Sequence, residues 1–236
     1  MQISSSTYSP VNDESEIFYK LLDFDDKHIL ELGCGKAELT RSIASQGRGR
    51  RIIAMEVDET QHQQNLESSV PTNLVFKYGG AEAIPLEDNS QDIVLMFKSL
   101  HHVPMDKLQA AINEIHRVLK AGGMLYISEP VFGGDFNEIL RLFHDEEEVR
   151  QVAFNACKEA IEKKRFQLEK EVFFSIPVVF NSFTEFEDRL INVSHTDHRL
   201  DEQVLSAVKN RYESFASGDI LSLNAPHRVD LLSKIG

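Results

Sequence analysis

The chain has no tryptophan, only two cysteines and no long apolar run. Cys34 and Cys157 are too few for a disulfide framework, which points to a reducing compartment. No stretch approaches the roughly 18 apolar residues of a membrane-spanning helix. Met1 to Pro10 is polar and serine-rich, without the basic start and apolar run of a secretory signal. A cytoplasmic location without a membrane partner is therefore expected. The sequon Asn192-Val193-Ser194 would matter only in a secreted chain. Positive charge is scarce as well: 25 Lys and Arg stand against 38 Asp and Glu, a formal net charge of −13. Nucleic-acid binding draws on basic patches that displace phosphate counterions, so no nucleic-acid partner is expected. The densest basic cluster, Lys163-Lys164-Arg165, reads as a helix end, where cations are favoured. Neither a Walker loop nor a serine nucleophile elbow is found.

The hydrophobic content of 42% is enough to bury a core over 236 residues. The chain is organised around Ile29 to Thr40, ILELGCGKAELT. A short apolar run, Ile29 to Leu32, meets Gly33 and Gly35, and a helical pattern starts at Glu38. Strand, glycine turn and helix let a backbone approach a nucleotide-like ligand. Glycine permits positive φ, and the helix N-terminus offers free N–H groups. A dinucleotide-binding turn would read G-x-G-x-x-G, and position 38 is Glu. A carboxylate at Glu31 would repel a pyrophosphate and suits a ligand with an ammonium or ribose hydroxyls. An NAD-dependent enzyme is thereby disfavoured.

Asp13 to Leu22 is expected as a short helix. Further strands are expected at Arg51 to Val57, Asn73 to Lys77, Gln91 to Phe97 and Met124 to Ser128, with helices at Glu38 to Gln46 and Gln61 to Ser69. Leu108, Ile112, Ile115 and Leu119 mark an amphipathic helix, with Gly122 and Gly123 as its glycine cap. The acid ending the second strand, Glu56, can accept hydrogen bonds from two ribose hydroxyls. Asp58 reads as the N-cap of the next helix, with Gln61 completing a capping box. Strands alternating with helices predict a doubly wound α/β fold, mostly parallel. Ligands in such sheets bind at the carboxyl ends of the strands, where Glu31, Glu56, Phe97 and Glu129 all fall.

After Pro130, Asn137 to Phe166 reads as one long helix or two, and Asp145 to Glu148 as a solvated acidic face. Val172 to Phe180 is a strand whose Pro177 suggests an edge or break. Thr184 to Ile191 and Asp201 to Ser217 read as helices. Arg228 to Leu232 is a final strand, antiparallel to that at Val172 to Phe180. His195 and His198 have no third ligand in register, so no metal site is expected.

Glu31, Gly33, Gly35 and Ala37 resemble motif I of class I S-adenosylmethionine-dependent methyltransferases, usually E/D-x-G-x-G-x-G. The third glycine is replaced by Ala37. The resemblance extends by motif over about Asp26 to Pro130, and beyond that only by the order of elements. Tyr78 to Pro85 resembles the family's G-D-A-x-x-L-P segment with Gly80 in place of the acid. Leu100-His101-His102-Val103 resembles its L-x-H-V segment, and Leu119 to Gly123 its L-K-P-G-G. The resemblance implies a seven-stranded Rossmann-like sheet in one domain. Residues 1–25 would form an N-terminal cap, 26–130 the cofactor-binding core, 131–168 a helical cover and 169–236 the last strands and helices. It implies S-adenosyl-L-methionine as cofactor, held by Glu31, Gly33, Cys34, Gly35, Glu56, Val57, Ala81, Glu82 and Phe97. The implied activity is methyl transfer to a small-molecule acceptor, which mainly requires an in-line arrangement. His102 is the candidate base, since imidazole titrates near neutrality. In related phosphobase methyltransferases a histidine at the matching position pairs with an N-terminal tyrosine, which makes Tyr8 and Tyr19 candidate partners. The alternative is a non-catalytic cofactor-binding protein of the same fold, kept open by Ala37 and Gly80.

Overall fold

A computed structural model describes residues 1–192 and 200–236. His195 and His198 lie outside the described residues, as does most of the sequon. In chain order the elements are β1 (Ser9–Pro10), α1 (Ser15–Leu21), β2 (His28–Leu32), α2 (Glu38–Ser45), β3 (Arg51–Glu56) and α3 (Glu59–Glu67). Next come β4 (Leu74–Tyr78), β5 (Gln91–Phe97), a 3-10 turn (Leu100–His102), α4 (Leu108–Val118) and β6 (Leu119–Pro130). The chain continues with α5 (Asp135–Leu140), α6 (Glu147–Glu162), β7 (Phe166–Phe180), α7 (Phe183–Phe186), α8 (Glu202–Phe215) and β8 (Leu221–Lys234). A π-helical turn, Glu187–Ile191, extends α7.

The strands form one sheet in the order β1-β7-β8-β6-β5-β2-β3-β4. The strands from β2 to β6 are parallel, and β8 runs antiparallel to both β6 and β7. The expected doubly wound, mostly parallel α/β fold is present, with eight strands among the described residues instead of seven. The addition is β1, which pairs with β7 at Phe174 and Ser175.

The alternation of side chains along each strand sorts the core into two faces. Leu30, Leu32, Val94, Met96 and Ile127 pack with α4 and α6 on one face. Ile29, Ile52, Leu95, Phe97 and Tyr126 pack with α1 and α2 on the other. Residues fully enclosed on both faces read as continuous apolar runs. Beyond the sheet, the paired ends of β7 and β8 extend as an antiparallel ribbon that carries a smaller core with α5, α7 and α8, built on Phe180, Phe186, Val208 and Tyr212.

Three expectations need correction. Gly122 does not cap α4, which ends at Val118 with Leu119 already extended. The glycine pair instead accommodates a register shift, in which Gln91 faces Leu119 and Ile93 faces Met124. Gly122 has φ +72°, and a Cβ on Gly123 would lie 2.9 Å from the Lys120 carbonyl oxygen. The strand expected at Val172 begins at Phe166, and β8 at Leu221 rather than Arg228. Those early turns are polar, because an exposed antiparallel ribbon needs apolar residues only on one side. Asp58 caps α3 by accepting from Gln61 N at 2.9 Å, but the return arm of the capping box is absent. The Gln61 side chain bonds Asn65, and the Asp58 amide donates to Glu56.

Candidate functional site

The glycine loop leaves the carboxyl end of β2. Both Gly33 N and Cys34 N donate to the Met55 carbonyl, at 2.9 and 3.0 Å, which ties the loop to β3. Gly33 has φ +69°, and a Cβ there would sit 2.7 Å from Ser99 Cβ. Ser99 closes the contact by donating to the Leu32 carbonyl at 2.7 Å. Gly35 (φ +51°) faces open space on its Cβ side. Ala37 is left-handed too, at φ 57°, which explains why glycine suits this position. Its methyl is buried rather than aimed at the opening.

Glu56 ends β3 and governs the loop. Its carboxylate accepts from Gly35 N at 2.7 Å, Val57 N at 2.8 Å and Asp58 N at 2.9 Å. Glu31 is buried on the α1 and α2 face and accepts a hydrogen bond from the Thr40 hydroxyl. Burial, with Glu14 and Glu56 adding negative potential, pushes the Glu31 carboxyl up to about 8. The Cys34 thiol is raised above its ordinary range by burial and the same carboxylates, so it is not a thiolate. Val57 is exposed beside the loop, and Ala81 is buried.

Glu82 is held by Lys107 at 2.7 Å, which lowers its pKa. A Cβ on Gly80 would collide with Oε2 of Glu82. The carboxylate of Glu82 thus fills the space that a side chain at position 80 would take. Phe97 is enclosed by Phe18 at 5.6 Å and Tyr126 at 5.5 Å between ring centroids.

The 3-10 turn that follows β5 carries two histidines. His101 is buried and His102 is exposed, with ring centroids 4.0 Å apart. His101 Nδ1 meets Glu129 Oε2, and its Nε2 lies 3.6 Å from Glu146 Oε1. Burial opposes a charge on His101, but Glu129 and Glu146 together raise its pKa to about 9. Crowding by protein around His102, with the neighbouring His101 charge, lowers its pKa. Glu146 also bonds Arg150 at 2.5 Å and His144 at 2.8 Å. The acid run at 145–148 is therefore not a uniformly solvated face. Glu146 turns inward at the start of α6, and the spacing of four consecutive acids gave no signal of this.

The N-terminal segment reaches the site through Glu14. Glu14, only 2% exposed, accepts from Lys98 Nζ at 2.9 Å and from the Tyr126 hydroxyl at 3.2 Å. Lys98 has a left-handed backbone, φ 55°. Tyr19 packs with Phe18 and Phe24 and lies under Arg50, the residue that precedes β3. That places it toward the amino ends of the strands, away from His102. Tyr8 packs edge-on against Phe173 at 6.0 Å.

Residues 30–127 match the methyltransferase domain family. These residues belong to the class I S-adenosylmethionine-dependent methyltransferases. The methyltransferase domain is 35% identical over 105 residues to an uncharacterised methyltransferase of Mycobacterium tuberculosis, covering 44% of this chain and 40% of that protein. It is 30% identical over 106 residues to the mouse mitochondrial arginine-hydroxylase NDUFAF5, covering 45% of this chain and 29% of the relative. The chain thus spans less than half the length of these curated relatives. The fold as a whole resembles the BH2331 protein of Bacillus halodurans, at a TM-score of 0.63, 17% identity, and 91% and 95% of the two chains. The family implies S-adenosylmethionine as the cofactor of the methyltransferase domain. Among the described residues, no helix is long and apolar enough to cross a membrane.

Proposed function

We propose that the chain transfers a methyl group from S-adenosylmethionine to a small-molecule acceptor. The observation that carries this reading is the Glu56 carboxylate, anchored by three backbone amides beside an open glycine loop. Two carboxylate oxygens offer about four acceptor positions, so three are used and one is left for a ribose hydroxyl. Glu31, buried at that end of the site with its carboxyl pushed up to about 8, would be drawn to its ionised form by the ammonium or sulfonium of a bound ligand. Gly33, Cys34, Gly35 and Val57 supply the backbone that the ligand runs along. Ala81 and Glu82 would meet the base, with Glu82 standing in for the acid that Gly80 lacks. Phe97, walled in by Phe18 and Tyr126, closes the floor. Bound there, the cofactor supplies an electrophilic methyl carbon on sulfur.

The acceptor side is the His101–His102 wall. His102 is its exposed member and the side chain set to meet an acceptor; any proton lost by the acceptor leaves on this face. The helical cover from α5 and α6, and the acidic balance of the chain, favour a small molecule over a nucleic acid. The non-catalytic alternative draws on Ala37 and Gly80. The left-handed backbone at Ala37 keeps the loop path that glycine would give, which favours a working site. Replacing Glu56 with alanine should weaken S-adenosylhomocysteine binding at least about tenfold, a loss near 1.4 kcal/mol. Unchanged affinity in a calorimetric titration would remove Glu56 from the site, and methyl turnover on any acceptor would remove the non-catalytic alternative.

A further inference from the structure

We infer that His101, His102 and Glu146 form a binding site for one divalent transition-metal ion of the zinc class. One ligand atom from each residue lies within 4.8 Å of the others. Zinc holds imidazole nitrogen and carboxylate oxygen at about 2.0–2.2 Å, so bound ligand atoms lie roughly 3–3.6 Å apart. The 3.6 Å between His101 Nε2 and Glu146 Oε1 is already in that range. The set is complete once the three ligand atoms, already within 4.8 Å of one another, draw in to that range around an ion.

The surrounding contacts are those that orient metal ligands. The Nδ1 edge of His101 is taken up by Glu129, which leaves Nε2 facing Glu146. Glu129 is itself fixed, accepting the Leu100 amide at 2.9 Å. Glu146 is fixed through its second oxygen by Arg150 at 2.5 Å. His144 lies on the outer side, its Nε2 2.8 Å from Glu146 Oε1. Two imidazoles and one carboxylate select zinc, iron(II), nickel or copper over magnesium or calcium, which prefer all-oxygen sites. Two ligands are buried and the third is exposed, so an ion has a path in and keeps an outward coordination position.

The metal site stands on side-chain geometry alone. Its use, which is to hold a hydroxyl or thiol of the acceptor at the outward position, rests on the methyltransferase reading. With an ion bound, His102 meets the acceptor through that ion.

The test uses the full-length, tag-free, metal-stripped chain. Zn²⁺ is titrated in competition with a chromophoric chelator, and Co²⁺ is added separately for its visible spectrum. One equivalent of Zn²⁺ should bind, with affinity at least about tenfold lower in His102→Ala and in Glu146→Gln. His116→Ala, outside the cluster, should match the parent chain. The exposed His102 variant guards against loss of fold as the explanation, and thermal shift with S-adenosylhomocysteine is run on every variant. No competition for Zn²⁺ by the parent chain, or equal binding by the variants, overturns the site. Zinc binding without a cofactor shift leaves the metal site standing and defeats the cofactor reading. A cofactor shift without zinc binding does the reverse.

Discussion

At the glycine loop a carboxylate holds backbone; at the histidine pair two carboxylates hold a side chain. Glu56 accepts from three amides, two of them its immediate successors and the third in the loop from β2. Glu129 and Glu146 come from β6 and the start of α6 to grip His101 from its two edges. The first arrangement is made of local chain and adjacent parallel strands, so it forms whenever the sheet forms. The second needs the cover to dock correctly on the sheet. The loop wall should therefore tolerate side-chain changes that leave its backbone path intact, whereas the histidine wall should fail when a single carboxylate is lost.

The largest effect that would sharpen this contrast is expected from Glu129→Ala. It strips the buried His101 of its main partner, and breaking such a pair costs about 3–5 kcal/mol. For a chain of this size that is a fall of roughly 6–20 °C in unfolding temperature by calorimetry. A loss under 1 kcal/mol would show that the wall is not held by this pair. Gly33→Ala comes next. It forces a left-handed alanine, costing about 1–2 kcal/mol, and drives a methyl into Ser99. Stability and cofactor affinity should fall together; a variant that binds and melts like the parent would show that the close approach to Ser99 relaxes freely.

A smaller effect concerns pH. The Glu31 carboxyl titrates near 8 in the folded chain, far above its ordinary 4.5. The folded state therefore binds more protons than the unfolded one between these values. The contribution of Glu31 to stability is complete below pH 4.5 and is lost as the pH rises through 8. Denaturant unfolding followed from pH 5 to 8 should show this decline, and Glu31→Gln should flatten it; an equally steep decline in the variant would assign the proton elsewhere. The smallest effect is that of Ala37→Gly. Relief of the left-handed strain and the greater freedom of the unfolded glycine nearly offset, so a change within about 1 kcal/mol is expected. A larger loss would mean that the buried alanine methyl matters more than its backbone.

The same contrast explains what could be read from the sequence. The parallel strands β2, β3 and β5 were legible because burial on both faces makes them uninterrupted apolar runs between turn residues. The loop was legible because positive φ selects glycine at Gly33 and Gly35. The histidine wall was not. Glu146 lies 45 positions beyond His101, and its neighbours Asp145 and Glu147 are solvent-facing. Nothing in a run of four acids marks the one that turns inward. Glu14 was missed for a similar reason: its partner Lys98 is 84 residues away, and only the docking of α1 joins them. Tyr19 was misplaced because an aromatic near the N-terminus carries no information about which end of the sheet it reaches. The polar start of β7, between the helix expected to Phe166 and the strand expected from Val172, was not legible as strand because its charged residues interrupt the apolar alternation.

The most direct test of the loop as a cofactor site is thermal unfolding of the parent chain with S-adenosylhomocysteine, with NAD as the control. A ligand at 100 times its dissociation constant stabilises by roughly 2.7 kcal/mol. That corresponds to a rise of about 5–11 °C for a chain of this size. The account predicts this rise with S-adenosylhomocysteine and none with NAD. No rise with S-adenosylhomocysteine, or a rise with NAD alone, would contradict it.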